Sequence, residues 1–435
     1  MGIRDSKIDD YINKICSHVR CKQAHNEIRE ELLDHFQEKI KDMIADGMEE
    51  KEAIEKSILQ MGDAEVIGKQ LNESHKVAQE VWIILLTILL SLVGMLTIYF
   101  IATKNISSST SIFYKNIIFN MLGYCIMVVL YFFNYSVIER YTKIIYIAIT
   151  LTLILQLVIG STVNGTKKWI NLGVFRMDIT ELSLFLYAIA LSKILEKLDW
   201  NNIKQAIYGF IMVFLPLVLY ILLGTMICSI TYLALFLALM ILVKSKLKHI
   251  LTIIGMVLVS SVYFIVLESY PVRRSIAILF PNKDIIGAGY FNFQIGRLLK
   301  IAGLYGQGFT FPTKILPEVQ NDFVLTYIVY TFGWISGITV IGFAFIFIIR
   351  MFLASKKVKD SFGCLIIQGF MCIFLVKFTW NVLIILGFLP IMGVSFPFIS
   401  FGGTASITQM AAVGLILSIY KRKNLRNISV NSIKS

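Results

Sequence analysis

The sequence predicts an all-α, polytopic membrane protein with about ten transmembrane helices, preceded by a small soluble helical domain. Three observations carry this. Hydrophobic residues make up 57% of the 435 and charged residues 16%, with a mean hydropathy of +0.73; a soluble domain averages about 25% charged. Apolar runs near the roughly 20 residues that a bilayer crossing needs recur ten times. Charge also divides the chain: residues 1–80 hold 18 acidic and 12 basic side chains, residues 81–435 hold 10 and 29. This balance excludes a disordered chain, a secreted disulfide scaffold and a soluble enzyme. The basic residues sit in short loops between apolar runs, which fits membrane lipid and topology and not nucleic acid.

Residues 1–80 read as a cytoplasmic helical regulatory or interaction domain. Ile28, Leu32, Phe36, Ile40 and Met43 step by four and three residues, one apolar helix stripe ending before Gly47. A second helix runs through Ala53, Ile54, Ile58 and Met61 to Gly62, and Asp63 is placed to cap the next, short helix. The first long apolar run begins only at Val81, so no signal peptide is expected at the front. The stretch EIREELLDHFQEKIKDMIADGMEEKEAIEKSILQMGD resembles the prefix domain found ahead of some bacterial permeases. The resemblance implies an appendage for interaction or regulation.

The spans are read at about 81–103, 116–137, 144–163, 179–195, 206–223, 225–243, 250–267, 323–349, 362–386 and 404–420, so 81–420 forms a transmembrane domain and 421–435 a basic tail. With the N-terminus inside, the inner loops and tail hold 17 Lys and Arg and the short outer loops five. This puts both termini in the cytoplasm. All five histidines then fall inside, which excludes a His-ligated metal site on the outer face. No cysteine pair has CxxC spacing, and the six read as small hydrophobes. The loop 268–322 faces outward, and one this long in a compact protein is usually functional. It ends in LPEVQNDF, which sets Glu318 and Asp322 at the mouth of a span. Glu181 and Lys377 lie within spans, where charge is costly and tends to be functional.

Three segments resemble the SEDS family, the FtsW/RodA/SpoVE peptidoglycan glycosyltransferases. GTKKWINLGVFRMDITELSLF (165–185) is similar to the family's G-x-[RK]-[RK]-W element with its PSE-[LF] motif. FQIGRLLKIAGLYGQGF followed by LPEVQNDF is similar to its glycine-rich loop and LPE-x-HTDF. NVLIILGFLPIMGVSFPFISFGGTAS (381–406) is similar to its G-LLP…PLPF-[VI]-SYGG-[ST]-S. The resemblance implies an enzyme of cell wall biogenesis, acting in elongation, division or sporulation. It would polymerise lipid II, an undecaprenyl-pyrophosphate disaccharide-peptide, beside a class B penicillin-binding transpeptidase. The family's essential aspartate falls on Asp322, the expected catalytic base.

Sugar transfer needs such a base, together with cations for a pyrophosphate leaving group. Substrate contacts are accordingly expected from Glu318, Lys167, Lys168, Trp169, Arg176, Arg297, Lys300, Ser400, Gly402 and Gly403. Arg273 and Arg274 would add outer cations, and Glu181, Lys377 and Asn381 form an intramembrane polar set. No cofactor is assigned with certainty; a divalent cation is left open.

Several family positions differ. Gln320 and Asn321 replace His-Thr. Leu222, Tyr330 and Thr331 stand where carboxylates are usual. Leu184 replaces a lysine, while Lys377 replaces a glutamine, which suggests Lys377 as a swapped partner for Glu181. Two further readings stay open: a non-catalytic scaffold for a transpeptidase, and a transporter of lipid-linked precursor.

Overall fold

The computed structural model describes residues 6–18, 25–74, 80–104, 111–163, 166–171, 176–267, 290–312, 316–389 and 391–423. Two compact units divide the chain: Met1–Gln79 with Lys357–Asp360 and Ile419–Ser435, and Glu80–Lys356 with Ser361–Ser418.

The first unit contains α1 (Ser6–Ser17), α2 (His25–Ala45), α3 (Glu50–Met61) and α4 (Ala64–Ser74). Ile28, Leu32, Phe36 and Ile40 of α2 are buried against Ala53, Ile54 and Ala64, with Met43 packed at the edge. The Asp63 carboxylate accepts from the Glu65 amide at 2.9 Å, the N-cap read from the sequence. Helix α1 completes the core with Ile8, Ile12 and Ile15, an i, i+4, i+7 stripe that the sequence reading passed over.

The second unit is a helical membrane protein. Its helices are α5 (Val81–Thr103), α6 (Ser111–Phe132), α7 (Ser136–Ile159), α8 (Ile179–Glu196), α9 (Ile203–Leu222), α10 (Met226–Leu242), α11 (Leu247–Leu267), the amphipathic α12 (Tyr290–Ala302), α13 (Val324–Lys356), α14 (Ser361–Ile385) and α15 (Thr404–Lys421). Every expected span coincides with one of these except in its ends. Helices α6 and α7 begin five and eight residues early, because a helix propagates by backbone hydrogen bonds through polar turns that hydropathy excludes. Among the described residues six helices (α5, α6, α7, α9, α13 and α14) are long and apolar enough to cross a bilayer. Helix α14 is the axis: it packs on α8, α10 and α13, and 61% of its apolar window is buried against 22% for α6.

Two breaks are repaired internally. Pro216 in α9 lacks the N–H that would bond the Met212 carbonyl; the hydroxyls of Tyr146 (3.2 Å) and Tyr232 (2.6 Å) donate to that carbonyl instead. In α13 the backbone leaves helical geometry at Gly333 (φ 86°). The Gln307 and Gly308 amides donate to the Tyr330 and Thr331 carbonyls, and the Trp334 and Ile335 amides donate to the Gly303 and Leu304 carbonyls. A Cβ at Gly333 would lie 2.0 Å from the Leu304 oxygen, so only glycine fits.

The all-α expectation missed a small antiparallel sheet, ordered β1-β2-β3, between α7 and α8. Its strands are β1 (Ser161–Val163), β2 (Thr166–Asn171) and β3 (Arg176–Asp178). Residues 161–163, read as the end of a span, are its first strand; Gly160 ends α7 in an extended conformation. The sheet, the 316–322 turns, and the 391–403 segment all lie at one end of the helices.

Candidate functional site

Strand alternation decides what the adjacent lysines do. Successive side chains of β2 point to opposite faces. The Lys167 ammonium donates to the Leu157 carbonyl of α7 at 2.9 Å, and its amide donates to the Leu223 carbonyl at 2.9 Å. Lys167 therefore ties the sheet to α7 and to the end of α9. Lys168 points the other way and donates to the Gly393 carbonyl at 3.4 Å. Trp169 is half-buried and pairs in register with Ser161 and Asp178.

Asp322 sits on a tight turn. Glu318 takes a positive φ of 48°, and its carbonyl accepts from the Asn321 amide at 2.9 Å and the Asp322 amide at 3.3 Å. Its exposed carboxylate accepts from Asn321 Nδ2 at 2.9 Å. Glu318 thus shapes the turn that carries Asp322. Asp322 is half-buried as a residue, yet burial of its carboxyl is the largest influence on it. Desolvation pushes the pKa from 3.8 up to about 6; the Lys168 charge pulls it down, and the Glu318 charge adds to the rise.

The 391–403 segment closes the site. Gly393 has φ 64°; a Cβ there would lie 3.2 Å from Lys168 Nζ and 3.7 Å from Asp322 Oδ2. The amine and the carboxylate thus flank a space that only a glycine leaves open. Asn381 Nδ2 holds the neighbouring Val394 carbonyl at 2.8 Å. The Ser400 hydroxyl donates to the Asn321 carbonyl at 2.6 Å, and the Phe401 amide donates to the Gln320 carbonyl at 2.9 Å. Gly402 and Gly403 precede α15, where Thr404 Oγ1 accepts from the Asp178 amide at 3.0 Å.

Asp178 is a buried acid that the sequence reading did not single out. It caps α8, accepting from Thr180 Oγ1 at 2.6 Å and the Glu181 amide at 3.2 Å. Burial, and next the Glu181 charge, hold its carboxyl above the usual value, while the Thr180 hydroxyl, Lys168 and the Glu181 amide act the other way. The Lys168 charge therefore acts on two carboxylates, Asp178 and Asp322. Deeper in the bundle Lys377 of α14 forms an ion pair with Glu181 of α8, the pair suggested by the sequence; both side chains are over nine-tenths buried. Gln409 of α15 donates to the same carboxylate at 2.8 Å.

Lys168 and Asp322 thus flank the Gly393 position, Glu318, Asn381 and Ser400 hold the backbone around them, and Gln409 links the Glu181–Lys377 pair to the same turn. Lys167 is used by the sheet. Arg297 and Lys300 are exposed on α12, and neither holds an ion pair among the described residues. Arg176 opens β3, and Arg273 and Arg274 lie outside the described residues. Asp178, Gly393 and Gln409 were missed. Gly393 lay inside the quoted 381–406 segment, whereas Gln409 reads as one polar residue in an apolar run until its partners are seen.

Fold and site together define a helical membrane protein that sets a desolvated carboxylate opposite a lysine at the ends of its helices. The chain belongs to the FtsW/RodA/SpoVE family, described as "Cell cycle protein", which matches residues 78–425. It is similar to the peptidoglycan glycosyltransferase MrdB of Escherichia coli K12, 25% identical over 321 residues, 71% of this chain and 85% of the relative. It is also similar to the probable peptidoglycan glycosyltransferase FtsW of Trichlorobacter lovleyi, 26% identical over 355 residues, 78% and 92% of the two chains. In fold it resembles a chain of a peptidoglycan synthase complex solved for its coordination of polymerization and crosslinking (TM-score 0.69, 20% identity, 80% of this chain and 99% of that one). It likewise resembles the rod shape determining protein RodA of Thermus thermophilus (TM-score 0.60, 18% identity, 80% and 98%).

Proposed function

We propose that this chain is a peptidoglycan glycosyltransferase that polymerises lipid II at the outer face of the cytoplasmic membrane, with Asp322 as general base. The observation that carries the reading is the carboxyl of Asp322, raised to about 6 and set across the Gly393 gap from Lys168. A base near the working pH combines a populated ionised form with a useful proton affinity. Asp322 takes the proton of the acceptor sugar hydroxyl as its oxygen bonds to the anomeric carbon of the donor. The bond from that carbon to the pyrophosphate oxygen breaks, and the polyprenyl pyrophosphate leaves with the electron pair. Lys168 stabilises that charge, and Arg297 and Lys300 supply further cations. Asn321 Oδ1, buried without a partner among the described residues, is an acceptor suited to a sugar hydroxyl. Among the described residues no three His, Cys, Asp or Glu side chains gather to hold a metal.

The excess of Lys and Arg in alternate loops supports both termini inside, which puts Asp322 outside. Residues 1–80 then serve as a cytoplasmic interaction domain, and a transpeptidase is the partner that would crosslink the glycan made here. Purified full-length protein given labelled lipid II should form polymer, and Asp322→Asn should not. Full polymerisation by Asp322→Asn rejects the assignment and favours the scaffold reading.

A further inference from the structure

The turn that clamps Asp322 contains a residue in a costly conformation. Phe398 has φ 66°, which a bulky side chain adopts only where its surroundings over-determine it. Two things hold it. Its ring lies 5.4 Å from those of Phe347 in α13 and Phe374 in α14. Its amide donates to Gln409 Oε1 at 2.8 Å. Gln409 is 2% exposed, so no bulk water can take over that bond. The other end of the same side chain, Nε2, donates to Glu181 Oε1, which is paired with Lys377. The far edge of the turn grips the chain beside Asp322: Ser400 Oγ accepts from the Phe396 amide at 2.8 Å and donates to the Asn321 carbonyl at 2.6 Å.

Resting on the reading of Asp322 as the base, we propose that Gln409 is a positioning residue. It couples the Lys377–Glu181 ion pair to the 396–401 turn and, through Ser400, sets the place and hydration of Asp322. An amide suits this position because its two ends differ. The Phe398 N–H requires an acceptor and the Glu181 carboxylate requires a donor, so the two neighbours fix which way the amide points. A glutamate there would face Glu181 with a second negative charge, and a leucine would leave the Phe398 N–H buried and unpaired.

The test uses purified full-length protein and two readouts. One is polymerisation of labelled lipid II. The other is the pH midpoint of carbodiimide labelling at Asp322 by mass spectrometry, which needs no catalysis. Gln409→Leu should lower polymerisation about 10- to 100-fold through displacement of the base. It should also move the labelling midpoint down by about one pH unit, as the loosened turn admits water to Asp322. The double variant Glu181→Gln/Lys377→Met removes the ion pair that anchors Gln409 Nε2, so its midpoint should move in the same direction as that of Gln409→Leu. A folded Gln409→Leu with wild-type rate and midpoint overturns the proposal. If that variant does not fold, Gln409→Met, of similar length, takes its place, and a wild-type midpoint in the double variant also overturns it. Full activity in Asp322→Asn removes the base reading alone, because the labelling arm judges the coupling independently.

Discussion

The helical unit at the N-terminus and the sheet end of the membrane unit handle charge in opposite ways. In the first, the core is Ile, Leu, Phe and Ala, and the ion pairs Lys7–Glu55 and Lys69–Glu65 have every partner more than half exposed. Burial of apolar surface accounts for that fold, and its charges stay in water. At the sheet end and just below it, Asp178, Glu181, Asp322 and Lys377 are drawn in among protein atoms. Turns with positive φ at Glu318, Gly393 and Phe398 lie around Asp322, while Asp178 caps α8 and Glu181 and Lys377 pair between helices α8 and α14. Sites where burial and specific charges shift carboxyls are where chemistry is done. The contrast is why the proposed reaction is placed in one region and interaction is proposed for the other.

The largest effect should come from Asp322. Asp322→Asn keeps the shape and removes the base, and polymerisation of lipid II should fall about 100- to 10,000-fold with folding retained. Next is the buried pair. Glu181→Gln or Lys377→Met strands a charge, at a cost of about 3–5 kcal/mol in stability, and the double variant should recover part of it; strictly additive losses in a denaturation series would show that the two are not coupled. Gly393→Ala sharpens the contrast. Its methyl would enter the gap between Lys168 and Asp322 on a backbone with φ 64°, so polymerisation should drop roughly tenfold or more, with a smaller change in melting. The smallest effect belongs to the first unit: Lys69→Ala breaks an exposed i, i+4 pair and should leave the melting temperature unchanged. A marked drop there would mean that the surface charges of this unit are structural after all.

How much the sequence disclosed follows from the length of the signal each element leaves. Runs of about 20 apolar residues are unmistakable, so the spans were legible and only polar helix ends, as at Lys115 and Arg140, were misplaced. The sheet was not, because strands of three to six residues inside a polar loop show too little alternation. Lys167 and Lys168 therefore looked equivalent until the strand sent them to opposite faces. The break at Gly333 was hidden for the opposite reason: apolar residues continue through it, and the exchange of hydrogen bonds with residues 303–308 is a tertiary event. Asp322 was legible from its motif, and the Glu181–Lys377 pair from the cost of charge in a span. Asp178 and Gln409 depend on contacts more than 200 residues away, with Thr404 and Glu181 respectively, which no local pattern reports.

The most direct measurement is the pH dependence of lipid II polymerisation by the purified protein. A raised carboxyl stays protonated to higher pH, and only its ionised form accepts the proton. The rate should therefore climb about tenfold per pH unit below 6, bend near pH 6 and level above it. A profile already flat from pH 4.5 to 7 would mean that no desolvated carboxylate governs the reaction, and would contradict Asp322 as its base.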